Sequence, residues 1–322
     1  MAIIKIYKYC SIETAIKIVE SGGIRLNNPD NFNDPYDSKF EISEEEKDKS
    51  FKLVNNYFVF REFSGYFNKN CNKFNKHQRK IRNIIQSQNK KIEEAIKNNS
   101  NLVFSSDLAD SYKLFPVFLK NIKEIENKNK RRLKNMLHNL EETTSKALIG
   151  CFSKRNDSIL MWSHYGDSHK GVCLEFEVNE VDFSKINYSD KKCFFNIYHI
   201  VESILKSDYL GDNELYKSEE NNEIALKPFL VKAKDWSYEE EVRFLCSLVK
   251  IDTLPFIRHD KYNYYLILKM TNIFIGTKVN DTENLKKLYS TAKSKYHDIN
   301  IVYMKLSDTK YKIVPDVNIP YK

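Results

Sequence analysis

Alternating apolar and polar positions over residues 3–9 predict a first β-strand. Ser11 then offers a helix N-cap, with Glu13 and Thr14 in the first turn, and Gly22-Gly23 ends that helix near Glu20. A short extended piece, residues 24–26, leads into an Asn- and Asp-rich turn segment (27–37) that also holds Pro29 and Pro35. From about Ser43 to Ser145 the apolar period lengthens to that of a helix. Phe51, Val54, Tyr57 and Phe58 recur at such spacing, then Ile81, Ile84 and Ile85, then Phe115, Phe118 and Ile122. Three to five helices are predicted there. Strand patterning resumes at 147–153 and 172–178, with further strands expected near 193–198, 264–268, 273–276 and 301–305. A polar, helix-compatible span up to Ala225 and a helix over 282–293 complete the prediction. The pattern is that of an α+β protein. A central, mostly antiparallel sheet is expected in a core domain of residues 1–42 and 147–322, with an all-helical subdomain inserted at 43–146.

One stretch breaks the pattern. Lys234 to Phe244 reads KDWSYEEEVRF and runs into the apolar segment 245–249, so a strand is expected from Glu239 onward. On such a strand Glu239, Glu241 and Arg243 share one face, and Glu240, Val242 and Phe244 share the other. Consecutive acids repel, and desolvating one raises its pKa. Either Arg243 pairs with one carboxylate at a solvated strand end, or these groups form a site.

Composition narrows the class. The chain has 322 residues, 41% of them hydrophobic, enough for one large core or two smaller ones. No apolar run approaches the roughly 20 residues that span a bilayer, and the N-terminus opens on a strand with no leader ahead of it, so no membrane partner and a cytoplasmic location are expected. The six cysteines are dispersed, with no C-x-x-C pair, which suits reduced thiols and argues against a zinc site; no metal ligands are assigned. The net charge of +8 is uneven: nine Lys or Arg against two Glu from Lys69 to Lys97, and seven against two from Lys120 to Lys134. Such clusters could face phosphate or simply solvate a helix. There is no Gly-rich phosphate loop.

Candidate chemistry lies in short blocks. Residues 161–165 (MWSHY) hold Trp162, His164 and Tyr165, and His164 is the favoured acid/base candidate. The alternative is a Trp162 that fills the core and a His164 bonded to backbone. Asn33, Asp34 and Asp37 could serve a metal or a ribose hydroxyl, or bond their own turn. Ser153 ends a strand with a hydroxyl that binds a ligand or caps the next turn. Tyr7, Lys8 and Tyr9 could present an aromatic pair or an ammonium to a pocket.

In their order along the chain, Tyr7-Lys-Tyr9, FNDPYD (32–37), CFS (151–153), MWSHYG (161–166), HKG (169–171) and W-x-Y-E-x-E-x-R (236–243) resemble the hallmark blocks of a large prokaryotic family classed as a domain of unknown function. That resemblance implies a bacterial protein of mobile elements or phage defence, toxins among them. More loosely, the order of Lys8, then Ser153 with Tyr165, then Glu239-x-Glu241 resembles ADP-ribosyltransferases, although those enzymes carry Arg or His where Lys8 stands. This second resemblance implies an enzyme that takes NAD as substrate and splits its nicotinamide–ribose bond. Glu241 would stabilise the cationic sugar, and His164 would orient the substrate or act as base. Lys8, Tyr9, Asn33, Asp34, Ser153, Trp162, Tyr165, Trp236, Glu239 and Arg243 would bind the substrate. The basic helical insert would recruit a nucleic acid or protein acceptor. The alternatives are a metal-dependent nuclease using Asp34, Asp37, His164, Glu239 and Glu241, and a non-enzymatic ligand-sensing module. Oligomeric state is not set by the sequence.

Overall fold

The structure, a computed structural model, describes residues 2–39, 41–211, 224, 226–247 and 254–318. In chain order the elements begin with β1 (Ile3–Cys10), α1 (Ile12–Ser21) and β2 (Ile24–Arg25). The helices α2 (Glu44–Asn70), α3 (Lys76–Arg79), α4 (Ile81–Lys97), α5 (Ser106–Tyr112) and α6 (Pro116–Ser145) follow. Next come β3 (Ala147–Ser153), α7 (Ile159–His164), β4 (Val172–Asn179), β5 (Ser184–Lys185), β6 (Asn187–Ser189) and α8 (Ile197–Leu210). The last group is β7 (Val231–Ala233), β8 (Glu241–Ser247), β9 (Ile257–His259), β10 (Tyr264–Leu266), β11 (Lys269–Ile275), a helix over Thr282–Lys295, β12 (Asn300–Leu306) and β13 (Ile313–Pro315).

The protein is mixed α+β and divides into two compact units. The first comprises Met1–Lys39, Thr143–Lys192 and Phe229–Lys322, and the second Phe40–Glu142 and Cys193–Pro228. In the first unit eight strands form a curled sheet in the order β13-β12-β11-β4-β1-β3-β8-β5. Only β11 and β12 run parallel within it, and the Thr282–Lys295 helix makes their crossover; the other pairings are antiparallel.

Strand periodicity sorts the two faces of this sheet. Ile6 and Cys10 of β1, Leu174 and Phe176 of β4, and Val242 and Phe244 of β8 point to one side. There they pack with Ala15 and Val19 of α1 and with Leu288 and Ala292 of the crossover helix. α1 forms as its sequence predicts: Ser11 Oγ accepts from Thr14 N, and Gly22 closes it at φ 71°, a left-handed conformation that suits glycine. The alternate residues, Tyr9, Cys173 and Phe274, face the other way and pack against Met161 and Trp162 of α7. Tyr7, Ser153, Glu241 and Arg243 lie on this second face, whereas Lys8 alternates onto the first.

In the second unit, α2 buries Leu53, Val54, Tyr57, Phe60, Phe63 and Phe67 in an aromatic-rich core with residues from α4, α5 and α6. α8 adds Val201 and Leu205. The strand expected near 193–198 is absent: Ile197 opens α8, whose apolar residues repeat at helical spacing and bury Ile197, Val201 and Leu205 on one side. Residues 199–210 of the polar span expected to run to Ala225 are helical, as part of α8, while residues 212–223 and 225 of it, and residues 248–249 of the expected strand, lie outside the described residues. Among the described residues no helix is long and apolar enough to cross a membrane.

Candidate functional site

The acidic stretch does not enter its strand as the alternation predicts. Residues Lys234–Glu239 form a 3-10 turn, Glu240 adopts a left-handed conformation at φ 42°, and β8 starts at Glu241. The kink is held from the neighbouring strand end. Ser153 Oγ donates to Glu239 O at 2.6 Å, Lys154 N donates to Glu240 O at 3.0 Å, and Arg155 Nη1 donates to Glu240 Oε1 at 2.9 Å. Glu240 is thereby turned outward, and Glu239 joins Glu241 and Arg243 on the inside.

All three inward groups are buried, with Arg243 at 0% exposure. The solvated strand end is thus excluded, because unpaired charges at this depth would cost several kcal/mol each. Each is paired. Arg243 Nη1 and Nη2 grip Asp37 Oδ1 and Oδ2 at 2.8 and 2.6 Å, a bidentate bridge, while Nε donates to Glu241 Oε1 at 2.7 Å. Nη1 also donates to Ser38 Oγ and Phe229 O. Lys232, the inward residue of β7, places Nζ 2.5 Å from Glu239 Oε2, 3.2 Å from Glu241 Oε2 and 3.5 Å from Asp37 Oδ2. Tyr165 Oη donates to Glu239 Oε1 at 2.6 Å, and Glu241 N donates to Tyr188 Oη at 2.8 Å.

This network floors a cleft of about 360 Å³. Tyr7 and Tyr9 from β1, Phe32 from the 27–37 loop, and Met161 and Tyr165 form apolar and aromatic walls, and Asn27, Asn31 and Asn33 supply amides. β1 and β3 pair at Tyr7–Ser153, and beside that point Lys8 reaches the cleft, its Nζ donating to Cys151 O at 3.0 Å.

The two floor carboxylates titrate in opposite directions. Burial pushes Glu239 above the ordinary range, and the charge of Glu241 adds to this; Lys232 and Tyr165 only partly offset it. Burial acts on Glu241 in the same sense, but Arg243 and Lys232 outweigh it and hold that carboxyl down at about 2. Burial also raises the Tyr165 hydroxyl, and Glu239 raises it further. Lys232 stays charged: burial opposes its charge, yet Glu241 and Glu239 more than compensate. Desolvation raises the Cys151 thiol, so it is a poor nucleophile.

Of the residues expected at a site, Lys8, Tyr9, Asn33, Ser153, Tyr165, Glu239 and Glu241 line the cleft, and Arg243 lies behind them holding Glu241 and Asp37. Four lie elsewhere. Trp162 is 0% exposed, with its Nε1 donating to Asn156 O at 2.7 Å, so its ring is core and offers no stacking face. His164 is exposed and pairs through Nδ1 with Tyr238 Oη at 2.8 Å, outside the cleft lining. Asp34 is buried in its own turn, its Oδ1 accepting from Tyr36 N. Trp236 is absent from the cleft lining, its ring centroid 5.0 Å from Lys232 Nζ. Ser153 lines the cleft, but its hydroxyl is spent on the Glu239 turn.

Sequence reasoning missed Lys232, the cation common to three carboxylates, and Tyr188. A single lysine between Val231 and Ala233 carries no signal beyond a polar residue at an inward strand position. Asp37 was considered as a ligand to a metal or a ribose hydroxyl, or as a turn residue, and not as the partner of Arg243. Here the space between the acids is filled by an ammonium and a guanidinium. Among the described residues no group of three or more His, Cys, Asp or Glu could hold a metal ion.

No curated protein and no solved structure matches the chain. A family model does match, over a span that contains the 161–166 block, Lys232, Glu239, Glu241 and Arg243 and leaves the β1 and 27–37 blocks outside it. Residues 161–244, which carry most of the charged floor of the cleft, match the family described as protein of unknown function (DUF2971).

Proposed function

We propose that the cleft takes a nucleotide with a positively charged N-ribosyl bond, NAD, and cleaves it between nicotinamide and ribose. One observation carries this reading: Glu239 and Glu241 share the Lys232 ammonium on the cleft floor, with their protonation pushed apart. Two carboxylates separated in this way can divide two roles. As the C–N bond breaks, its electron pair leaves with nicotinamide, which departs neutral and needs no acid. The ionised Glu241 stabilises the cationic sugar left behind. Water or an acceptor hydroxyl then attacks the anomeric carbon and gives its proton to Glu239, whose raised pKa makes it a stronger base than an ordinary carboxylate. Tyr7, Phe32 and Tyr165 offer rings to the nicotinamide, and the ADP-ribosyl group passes to water or to a nucleic acid or protein acceptor.

A second reading rests on a different observation. Each floor carboxylate already has cationic partners, which suits a rigid binding pocket without chemistry. Incubation of the protein with NAD, followed by quantitation of free nicotinamide, separates the two. Release that falls at least about 100-fold in Glu241→Gln, with the variant still folded by circular dichroism, supports cleavage. NAD bound without nicotinamide release supports the pocket alone. Release unchanged in Glu241→Gln, or neither binding nor release, overturns the NAD assignment.

A further inference from the structure

The long helix α6 has two unlike faces. Phe118, Asn129 and Leu133 are buried, with Ile122, Ile125 and Met136 packed beside them. On the opposite side, at 3.6 residues per turn, Lys120, Lys123, Arg131 and Lys134 stack in one exposed row. Four other surface lysines of this unit, Lys47, Lys49, Lys90 and Lys113, are each paired with an acid three or four residues away on their own helix or turn. On α6, the neighbours of Arg131 and Lys134 at that spacing are Asn127, Lys128, Lys130, Asn135, Leu137 and His138, none of them acidic. Lys120 and Lys123 do have acids at that spacing, Glu124 and Glu126, but pair with neither. Lys128 is taken by Glu62 at 3.9 Å, and Arg132 lies 3.8 Å from the Phe58 ring. Among the described residues, Lys120, Lys123, Arg131 and Lys134 make no ion pair.

A surface that needed only solubility would gain from mixed signs, which stabilise a helix through i,i+4 pairs. This row instead keeps like charges together over about 21 Å of helix, taking 1.5 Å per residue. A polyanion with regularly spaced charge fits it, and duplex DNA carries one charge per about 1.7 Å of its axis. We propose that this face of α6 binds the phosphodiester backbone of nucleic acid without reading its sequence. The proposal is independent of the chemistry assigned to the cleft.

The test uses the full chain and fluorescence anisotropy with a labelled duplex DNA and a labelled single-stranded RNA, each titrated at several salt concentrations. The variant is Lys120→Gln, Lys123→Gln, Arg131→Gln and Lys134→Gln together. The control, Lys17→Gln, Lys261→Gln, Lys286→Gln and Lys310→Gln, removes the same net charge from exposed positions of the first unit. The wild type is expected to bind at least one probe. On duplex DNA the α6 variant should lose about 3.6 from the slope of log affinity against log salt, four contacts at about 0.9 each, while the control keeps the wild-type slope. Absence of wild-type binding to both probes, equal losses in the two variants, or binding to anionic lipid vesicles in place of either probe overturns the proposal.

Discussion

Asp37 and Arg243 are 206 residues apart in sequence, and the guanidinium of one grips both oxygens of the other at 2.8 and 2.6 Å. This bridge ties the 27–37 loop to the start of β8. It also sets the Phe32 ring 5.3 Å from the same guanidinium, so one wall of the cleft is registered on its floor.

Removing either partner should be severe. Asp37→Ala or Arg243→Ala leaves a buried charge without its counter-ion, an effect of about 3–5 kcal/mol. Arg243→Lys should fall close to the alanine value, since an ammonium cannot reproduce the bidentate fork. The double alanine variant should lose less than the sum of the two single losses, because it strands neither charge. Urea unfolding of the wild type and these four variants measures this, and strict additivity would show that the bridge carries no coupling.

The floor carboxylates predict a two-sided pH dependence of stability. Glu241 titrates at about 2 when folded, below its ordinary 4.5. Its contribution is therefore complete above about 4.5 and is lost as pH falls toward 2, a loss of about 3 kcal/mol. Glu239 acts in the opposite sense. Its folded pKa is raised, so stability declines as pH rises from 4.5 through that raised value. Glu239→Gln should abolish the decline on the alkaline side and keep the acid-side loss. Unfolding midpoints across the pH range test this, and an unchanged profile in Glu239→Gln would refute the assignment.

Tyr165 gives a gentler probe of the same acid. Its hydroxyl donates to Glu239 Oε1 and helps hold that carboxylate ionised. Tyr165→Phe deletes the bond and keeps the ring, so it should move the Glu239 titration further upward. In a nicotinamide-release assay the rising limb of the pH–rate profile should shift the same way.

The turn before β4 should be intolerant at Gly171 and tolerant at Ser168. Asp167, Ser168 and His169 lie at φ 49°, 53° and 72°, three successive left-handed residues. Gly171 closes the turn where a β-carbon would collide with the Cys10 carbonyl. Gly171→Ala should cost about 1–3 kcal/mol through overpacking, whereas Ser168→Gly, which relieves a strained conformation, should leave stability unchanged or higher. Thermal melts distinguish the two.

The apolar periods, Ser11 and the Gly22 cap were enough to place β1, α1, β3, β4 and the crossover helix, since those elements follow from local spacing and capping. Alternation grouped Glu239 with Glu241 and Arg243, as observed, but the 3-10 turn and the left-handed Glu240 that bring it there were not legible. They depend on Ser153, Lys154 and Arg155, whose hydroxyl, amide and guanidinium hold the kink from across the sheet. Trp162 and His164 illustrate the same limit. A five-residue block cannot say which side chain packs inward, and here the aromatic ring took the core and the imidazole took the surface.

By itself the sequence determined an α+β protein with a charged, buried-looking entrance to a late strand and a basic helical region, because these are properties of neighbours along the chain. Only the tertiary structure decided that Lys232 stands among Asp37, Glu239 and Glu241. It also decided that the Glu241 carboxyl is held down while that of Glu239 is pushed up. Desolvation and Coulomb attraction depend on distances between residues far apart in sequence, and folding alone sets those distances.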